Sequence, residues 1–177
     1  MDRRTALRCM TTAAMSTLAA PTILRGRYRL FAESTTEYSA RTIALMQEST
    51  VIDMLCQFAF DDYRKDDVPL ATRWLRDPAA FTAEHFAMFR ESGVNILALG
   101  SGPANYDDAV KFQAHWNGFI ASHSDWFTRI DDASDLRSIK GSGRIGIMIT
   151  AQNSDHFRTT ADVDTFYQLG QRVSQLT

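Results

Sequence analysis

An α/β fold of parallel strands alternating with helices is predicted by three observations. The last third of the chain, Gly141 to Thr177, reads as strand, loop, helix, strand, a βαβ unit whose strands run parallel and whose crossover is right-handed. The same alternation of helix-like and strand-like segments extends back to Thr35, the pattern of parallel strands covered by helices. The chain also stops inside an apolar, strand-like segment at Thr177, with no following helix to cover it.

In order, Thr35 to Glu48 carries Tyr38, Ile43, Ala44 and Met46 at helical spacing. Ser49 to Phe60 is a strand-like run interrupted by Asp53, and 61–80 reads as a long polar loop holding Trp74 and a turn at Asp77-Pro78. A helix from Thr82 to Glu91 buries Phe86 and Phe89 and stops at Gly93, and Val94 to Leu99 is the next strand, closed by Gly100-Ser-Gly-Pro103. Asp107 or Asp108 begins a longer helix ending near His123, Phe127 to Ile130 is short and extended, and Asp132 caps a small helix through Ile139. Arg144 to Thr150 is a continuous Ile-rich run after a glycine turn, and so a buried strand. Thr160 to Leu169 has apolar Val163, Phe166, Tyr167 and Leu169 on one side, a threonine N-cap and a Gly170 stop; Arg172 to Thr177 restarts a strand. Four main strands fit either a small doubly wound sheet or half of an eight-stranded barrel. The uncovered terminal strand selects the second: the N-terminal half of a (β/α)8 TIM-like barrel, with 33–177 as an incomplete domain.

The front end differs from this body. Residues 1–32 hold six arginines against Asp2, a surplus of five positive charges in a chain of net charge −2, so the remainder carries −7. A mildly acidic body without a basic stripe excludes nucleic acid as a natural partner. Arg3-Arg4-Thr-Ala-Leu7-Arg8, followed by an Ala/Thr/Met run to Pro21, has the layout of a twin-arginine export signal. It implies a periplasmic or extracellular protein exported in the folded state. The run is too short for a stable transmembrane span. Removal of 1–32 takes Cys9 with it and leaves Cys56 as the one thiol, so no intrachain disulfide is expected.

In barrels the loops leaving the C-terminal ends of strands form the site face. The loop after the Ile-rich strand is polar, and Gln152, Asn153, Asp155 and His156 are site-face candidates. Asp53 and Gln57, at the end of the first strand, complete the set. Asp53 is an acid in an apolar strand, which is costly unless hydrogen-bonded, and a supporting role near the strand end fits it best. Other motifs have the wrong context. His123-Ser-Asp125 follows a helix end, where two side chains do not share a strand face. Gly141-Ser-Gly-Arg-Ile-Gly146 follows a helix and precedes a strand, the inverse of a dinucleotide-binding turn. His85 and His115 lie within helices among aromatic neighbours and read as core-edge or surface residues.

Glu48-Ser-Thr-Val-Ile-Asp53, Ser92-Gly-Val-Asn95, Gly143-Arg-Ile-Gly-Ile-Met-Ile-Thr150 and Phe166-Tyr-Gln-Leu-Gly-Gln-Arg-Val-Ser-Gln-Leu-Thr177 resemble the membrane dipeptidase (renal dipeptidase) family. These are zinc-dependent peptidases with a TIM-like barrel, related to the amidohydrolases. The resemblance runs over about residues 35–177 and implies metal-dependent hydrolysis of a dipeptide or other small amide. The family carries a His-x-Asp pair on its first strand, two residues apart so that both reach one metal, and a bridging glutamate at the end of the third. Alignment on Ile52-Asp53 sets these positions at Leu55 and Gln57, and alignment on the third strand sets the glutamate at Gln152. Leucine has no lone pair, and a glutamine amide is a weak neutral donor beside imidazole or carboxylate. The remaining ligands, two histidines, and the catalytic aspartate belong to later strands of the family's barrel, and its substrate-binding histidine would follow the fourth strand. The resemblance therefore implies zinc for the complete protein but not for this half. The alternatives are a metal-free barrel that binds a small ligand, and a truncated product with no function of its own. Unclosed strand edges with Val173 and Leu176 favour association or instability of this half alone, and a homo-oligomer is a separate expectation for the full-length protein.

Overall fold

The computed structural model describes residues 38–58 and 70–176. The predicted export signal at 1–32, residues 59–69 and Thr177 lie outside the described residues.

Five of the six described α-helices begin at a capping residue or capping box that satisfies free N–H groups at the helix start. Ser39 caps α1 (Ala40–Glu48), and Thr82 opens α3 (Ala83–Glu91), with His85 Nδ1 accepting from the Thr82 backbone N–H at 3.0 Å. Asn105 caps α4 (Tyr106–Ser122) through the Asp108 N–H, so this helix starts ahead of the predicted Asp107 or Asp108. Asp132 caps α5 (Ala133–Ser138), and Thr159 opens α6 (Thr160–Leu169), which ends at Gly170 in the left-handed conformation at φ 109°. The predicted loop at 61–80 needs correction. It contains α2 (Leu70–Arg76) and a 3₁₀ turn (Pro78–Ala80). No Gly or Pro interrupts Leu70 to Arg76, and burial of Trp74 against Phe58 and Phe81 holds the helix in place.

The strands are β1 (Ile52–Cys56), β2 (Ile96–Leu99), β3 (Phe127–Arg129), β4 (Ile145–Ala151) and β5 (Gln171–Ser174). They form one parallel sheet of five strands, in the order β1-β2-β4-β3, with β5 also on β4. The short extended segment is thus a true strand, the fifth beside the predicted four. One edge of β4 is shared: β3 pairs with Ile145, Gly146 and Ile147, and β5 with Ile149, Thr150 and Ala151. Alternating helices and parallel strands make this α/β, a partial barrel with free edges on β1, β3 and β5 among the described residues.

One face of the sheet packs Cys56, Leu97, Leu99, Ile145, Ile147 and Ile149 against Trp74, Phe81, Phe89, Trp116 and Phe119. Phe58 sits at the centre of these rings, stacked on Phe89 at 4.6 Å and edge-on to Trp116 at 4.9 Å. Its φ of 51° lies in the left-handed region, a strained conformation for an aromatic residue that the surrounding rings hold in place. The opposite face is covered near the strand starts by Ile130 and Ile139, which pack on Ile96. Gly146 allows this approach, since a Cβ there would lie 2.7 Å from Ile130 Cδ1. Beyond β5, Val163, Tyr167, Val173 and Leu176 line an exposed apolar groove of about 330 Å³. Among the described residues no helix is long and apolar enough to cross a membrane.

Candidate functional site

The C-terminal ends of β1, β2 and β4 meet at Gly100. A bulge in β1 makes this possible. Asp53 pairs with Leu97 and Cys56 with Leu99, so three residue steps on β1 span two on β2. The extra residue moves Leu55 and Gln57 to the face opposite Cys56, because side chains alternate along a strand. Asp53 stabilises the bulge: its Oδ1 accepts the Leu55 backbone N–H at 3.0 Å.

Leu55, Gln57 and Gln152 therefore converge. A Cβ built on Gly100 would lie 2.7 Å from Leu55 Cδ1, 3.2 Å from Gln152 Nε2 and 3.3 Å from Gln57 Nε2. The strand ends are tied beneath them by the Gly100 N–H donating to Cys56 O at 3.2 Å and the Gln152 N–H donating to Ser101 O at 2.6 Å. Leu55 is half exposed at 55% and presents an apolar wall.

Asn153 belongs to the loop rather than to this cluster. Its Nδ2 donates to Pro103 O and to Asp155 Oδ2, each at 3.1 Å, joining the loops that follow β2 and β4. Its Oδ1 is buried without a partner among the described residues. Asp155 is exposed beside it. His156 faces inward. It is fully buried between Phe157 and Phe166, with ring centroids at 4.1 and 4.7 Å. Gln171 Nε2 lies 3.2 Å from His156 Nε2, and Gln113 Nε2 donates to Gln171 Oε1 at 3.3 Å. The amide donor fixes His156 Nε2 as the acceptor and leaves the ring proton on Nδ1. Burial holds the imidazole pKa below its ordinary value of 6.5, which favours the neutral ring. Of the candidates, Gln57 and Gln152 come together with Leu55, Asp53 and Asn153 shape the backbone around them, and His156 braces the loop from below.

His123 stacks on Trp126 and its Nδ1 hydrogen-bonds to Phe119 O at 2.9 Å, closing the end of α4, while Asp125 is exposed. Gly141 and Gly143 have φ of 88° and 81°, as a tight turn into β4 requires. Burial also pushes the Cys56 thiol pKa up to about 12, which keeps it protonated and unreactive.

These residues do not fit a dinuclear zinc centre. Zinc takes imidazole, thiolate or carboxylate, whereas the point where the three strands converge offers one alkyl chain and two neutral amides. Among the described residues no group of three or more His, Cys, Asp or Glu is arranged to hold a metal ion.

No family model and no curated protein matches the chain. Solved structures do. An amidohydrolase from Pseudomonas aeruginosa is similar at 22% identity and a TM-score of 0.57, over 76% of this chain and 35% of that one. The dipeptidase AC, a metallopeptidase, is similar at 15% identity and a TM-score of 0.51, over 71% of this chain and 42% of its own. The chain thus shares the fold of part of these two structures, in keeping with the partial α/β barrel that the sequence predicts. The chain spans well under half the length of either structure.

Proposed function

We propose that this chain is the first half of a small-amide hydrolase barrel of the dipeptidase type. In this reading the half contributes a substrate-facing wall and not metal ligands. The observation that carries it is the convergence of Leu55, Gln57 and Gln152 on Gly100, at the positions where the resemblance sets two first-strand ligands and the bridging carboxylate. Leu55 supplies apolar surface, Gln57 and Gln152 supply uncharged hydrogen-bonding groups, and the Asp53 bulge and the Asn153 bridge hold the strand ends in place. Any metal the complete protein uses is held by residues of the other half. Export through the segment containing Arg3-Arg4 belongs to the same reading, and changing both arginines to lysine is expected to abolish periplasmic accumulation.

Hydrolysis of dipeptides and N-acyl amino acids by the complete polypeptide, with and without a chelator, tests the hydrolase reading. Turnover that Gln57→Leu and Gln152→Leu impair mainly through KM supports it; no turnover of any small amide contradicts it. A second reading, a metal-free barrel that binds a small ligand without turning it over, is favoured by the neutral donor set itself. Saturable binding of an uncleaved dipeptide in the presence of chelator is its signature.

A further inference from the structure

His156 ends a line of buried polar side chains drawn from three elements. Gln113 of α4 donates its Nε2 to Gln171 Oε1 at the start of β5, and Gln171 Nε2 donates to His156 Nε2 in the loop after β4. Phe157 and Phe166 pack on the imidazole, and its Nδ1 is buried without a hydrogen-bond partner among the described residues. The carboxylates whose charge reaches the ring are Asp155 on the same loop and Asp162 on α6. Both are engaged, Asp155 with Asn153 Nδ2 and Asp162 with Arg158 at 3.2 Å. Arg158 in turn lies over the Tyr106 ring of α4, and Arg172 of β5 turns to Asp131. A second proton has no place in this arrangement. An imidazolium donates from both nitrogens, so Nε2 would point its N–H at the Gln171 N–H. Turning both glutamine amides round would serve Nε2 alone, and Nδ1 would still hold a buried cation's proton against no acceptor, a costly state.

We propose that His156 is an acid-operated latch: on protonation its ring leaves its place against Phe157 and Phe166, and the segment 155–157 opens between fixed ends. The ends are fixed by hydrogen bonds to other elements. Ser174 Oγ donates to Asn153 O and Ser154 Oγ to Gln175 O on one side, and the Arg158 N–H donates to Asp162 Oδ2 on the other. Between them the segment is held by the two rings, by Gln171, and by the Phe157 N–H donating to Ser154 O at 3.1 Å. Phe157 also lines the apolar groove beyond β5, so opening reshapes that groove together with the polar loop. The latch is a property of the loop itself and holds whichever chemistry the complete barrel performs.

The test is amide hydrogen exchange of the full ¹⁵N-labelled chain, corrected for the intrinsic pH dependence of exchange. The Phe157 amide reports the loop, and the Gly146 amide, bound to Asn95 O at 2.8 Å, reports the sheet. One proton taken up on opening, by a ring whose ordinary pKa is 6.5, favours the open form by about thirtyfold between about pH 7.5 and about pH 5. Phe157 exchange is expected to accelerate by that factor while Gly146 keeps its protection. Asp162, held at about 2, stays charged over this range and adds nothing to the change. His156→Gln keeps an acceptor for Gln171 and takes no proton, so its Phe157 exchange is expected to be the same at both pH values. Gln171→Glu gives the protonated ring a charged acceptor and is expected to suppress most of the acceleration, an effect that loss of packing alone would not produce. Equal corrected Phe157 rates at both pH values in the unmodified chain, or an acceleration that persists unchanged in both variants, overturns the latch. Acceleration of Gly146 by the same factor as Phe157 also overturns it, because the chain then unfolds as a whole.

Discussion

Arg172 Nη2 donates to Asp131 Oδ1 at 2.8 Å, joining the start of β5 to the segment that leaves β3. Arg129 Nε reaches the same carboxylate at 2.8 and 2.9 Å, and its Nη1 donates to Asn117 Oδ1 at 2.6 Å. This network lies where β3 and β5 succeed one another along the edge of β4. It closes a seam that backbone pairing alone leaves open.

Removing the shared carboxylate takes the counter-charge from two guanidinium groups, which keep only their neutral partners. With Asp131 about one third exposed at 34%, solvent screens part of the loss. Asp131→Ala is expected to destabilise the chain by about 1–2 kcal/mol, measured by urea unfolding. Arg129→Met in the Asp131→Ala background should then cost much less than in the wild type.

Asp162 gives a pH dependence of known sign. The Arg158 side chain, together with the backbone N–H groups of Arg158 and Thr159, holds its carboxyl at about 2, below the ordinary 3.8. Because the folded pKa is depressed, the stabilisation is complete above the unfolded value and is lost as pH falls from about 4 toward about 2. Thermal unfolding across that range should show the loss, and Asp162→Asn should flatten it.

His156 acts at higher pH. Burial lowers its folded pKa below 6.5, so under acid conditions the unfolded chain takes up a proton that the folded chain does not. Stability is therefore present above pH 6.5 and falls as the pH drops below it. His156→Leu is expected to remove that slope. It also leaves Gln171 Nε2 without its acceptor, costing about 1–3 kcal/mol at pH 8.

Phe58 is the residue about which the aromatic core is arranged, 1% exposed with six rings of the described residues around it. Phe58→Ala should cost about 3–5 kcal/mol, read from chemical denaturation. Phe58→Leu should recover part of that.

Periodicity and caps made most of the fold legible. The Ile-rich run of β4, the helix between Thr159 and Gly170, and the strand after it all follow from local chemistry that the structure repeats. α2 was not legible because its neighbours are polar and Pro-punctuated, and only Trp74 packing into a distant cluster decides it. β3 reads only as short and extended because its length carries little pattern, and what anchors it is non-local: Arg129 pairs with Asn117, and Asp131 with Arg172, across the sheet seam. At the site, the residue types at 55, 57 and 152 were plain from alignment. Their meeting point was not, because it depends on the β1 bulge and on Gly100 having no side chain. Burial of His156 likewise depends on Phe166 and Gln171, which come from the next βα unit.

Neutral residues stand at 55, 57 and 152, where the resemblance to the dipeptidases sets metal ligands. Equilibrium dialysis of the chain against zinc, with metal content measured per chain, tests it most directly. The account predicts no stoichiometric uptake, and gain of zinc binding in the triple variant Leu55→His, Gln57→Asp, Gln152→Glu. One or two equivalents of zinc on the unmodified chain, released by Gln57→Leu or Gln152→Leu, would contradict it.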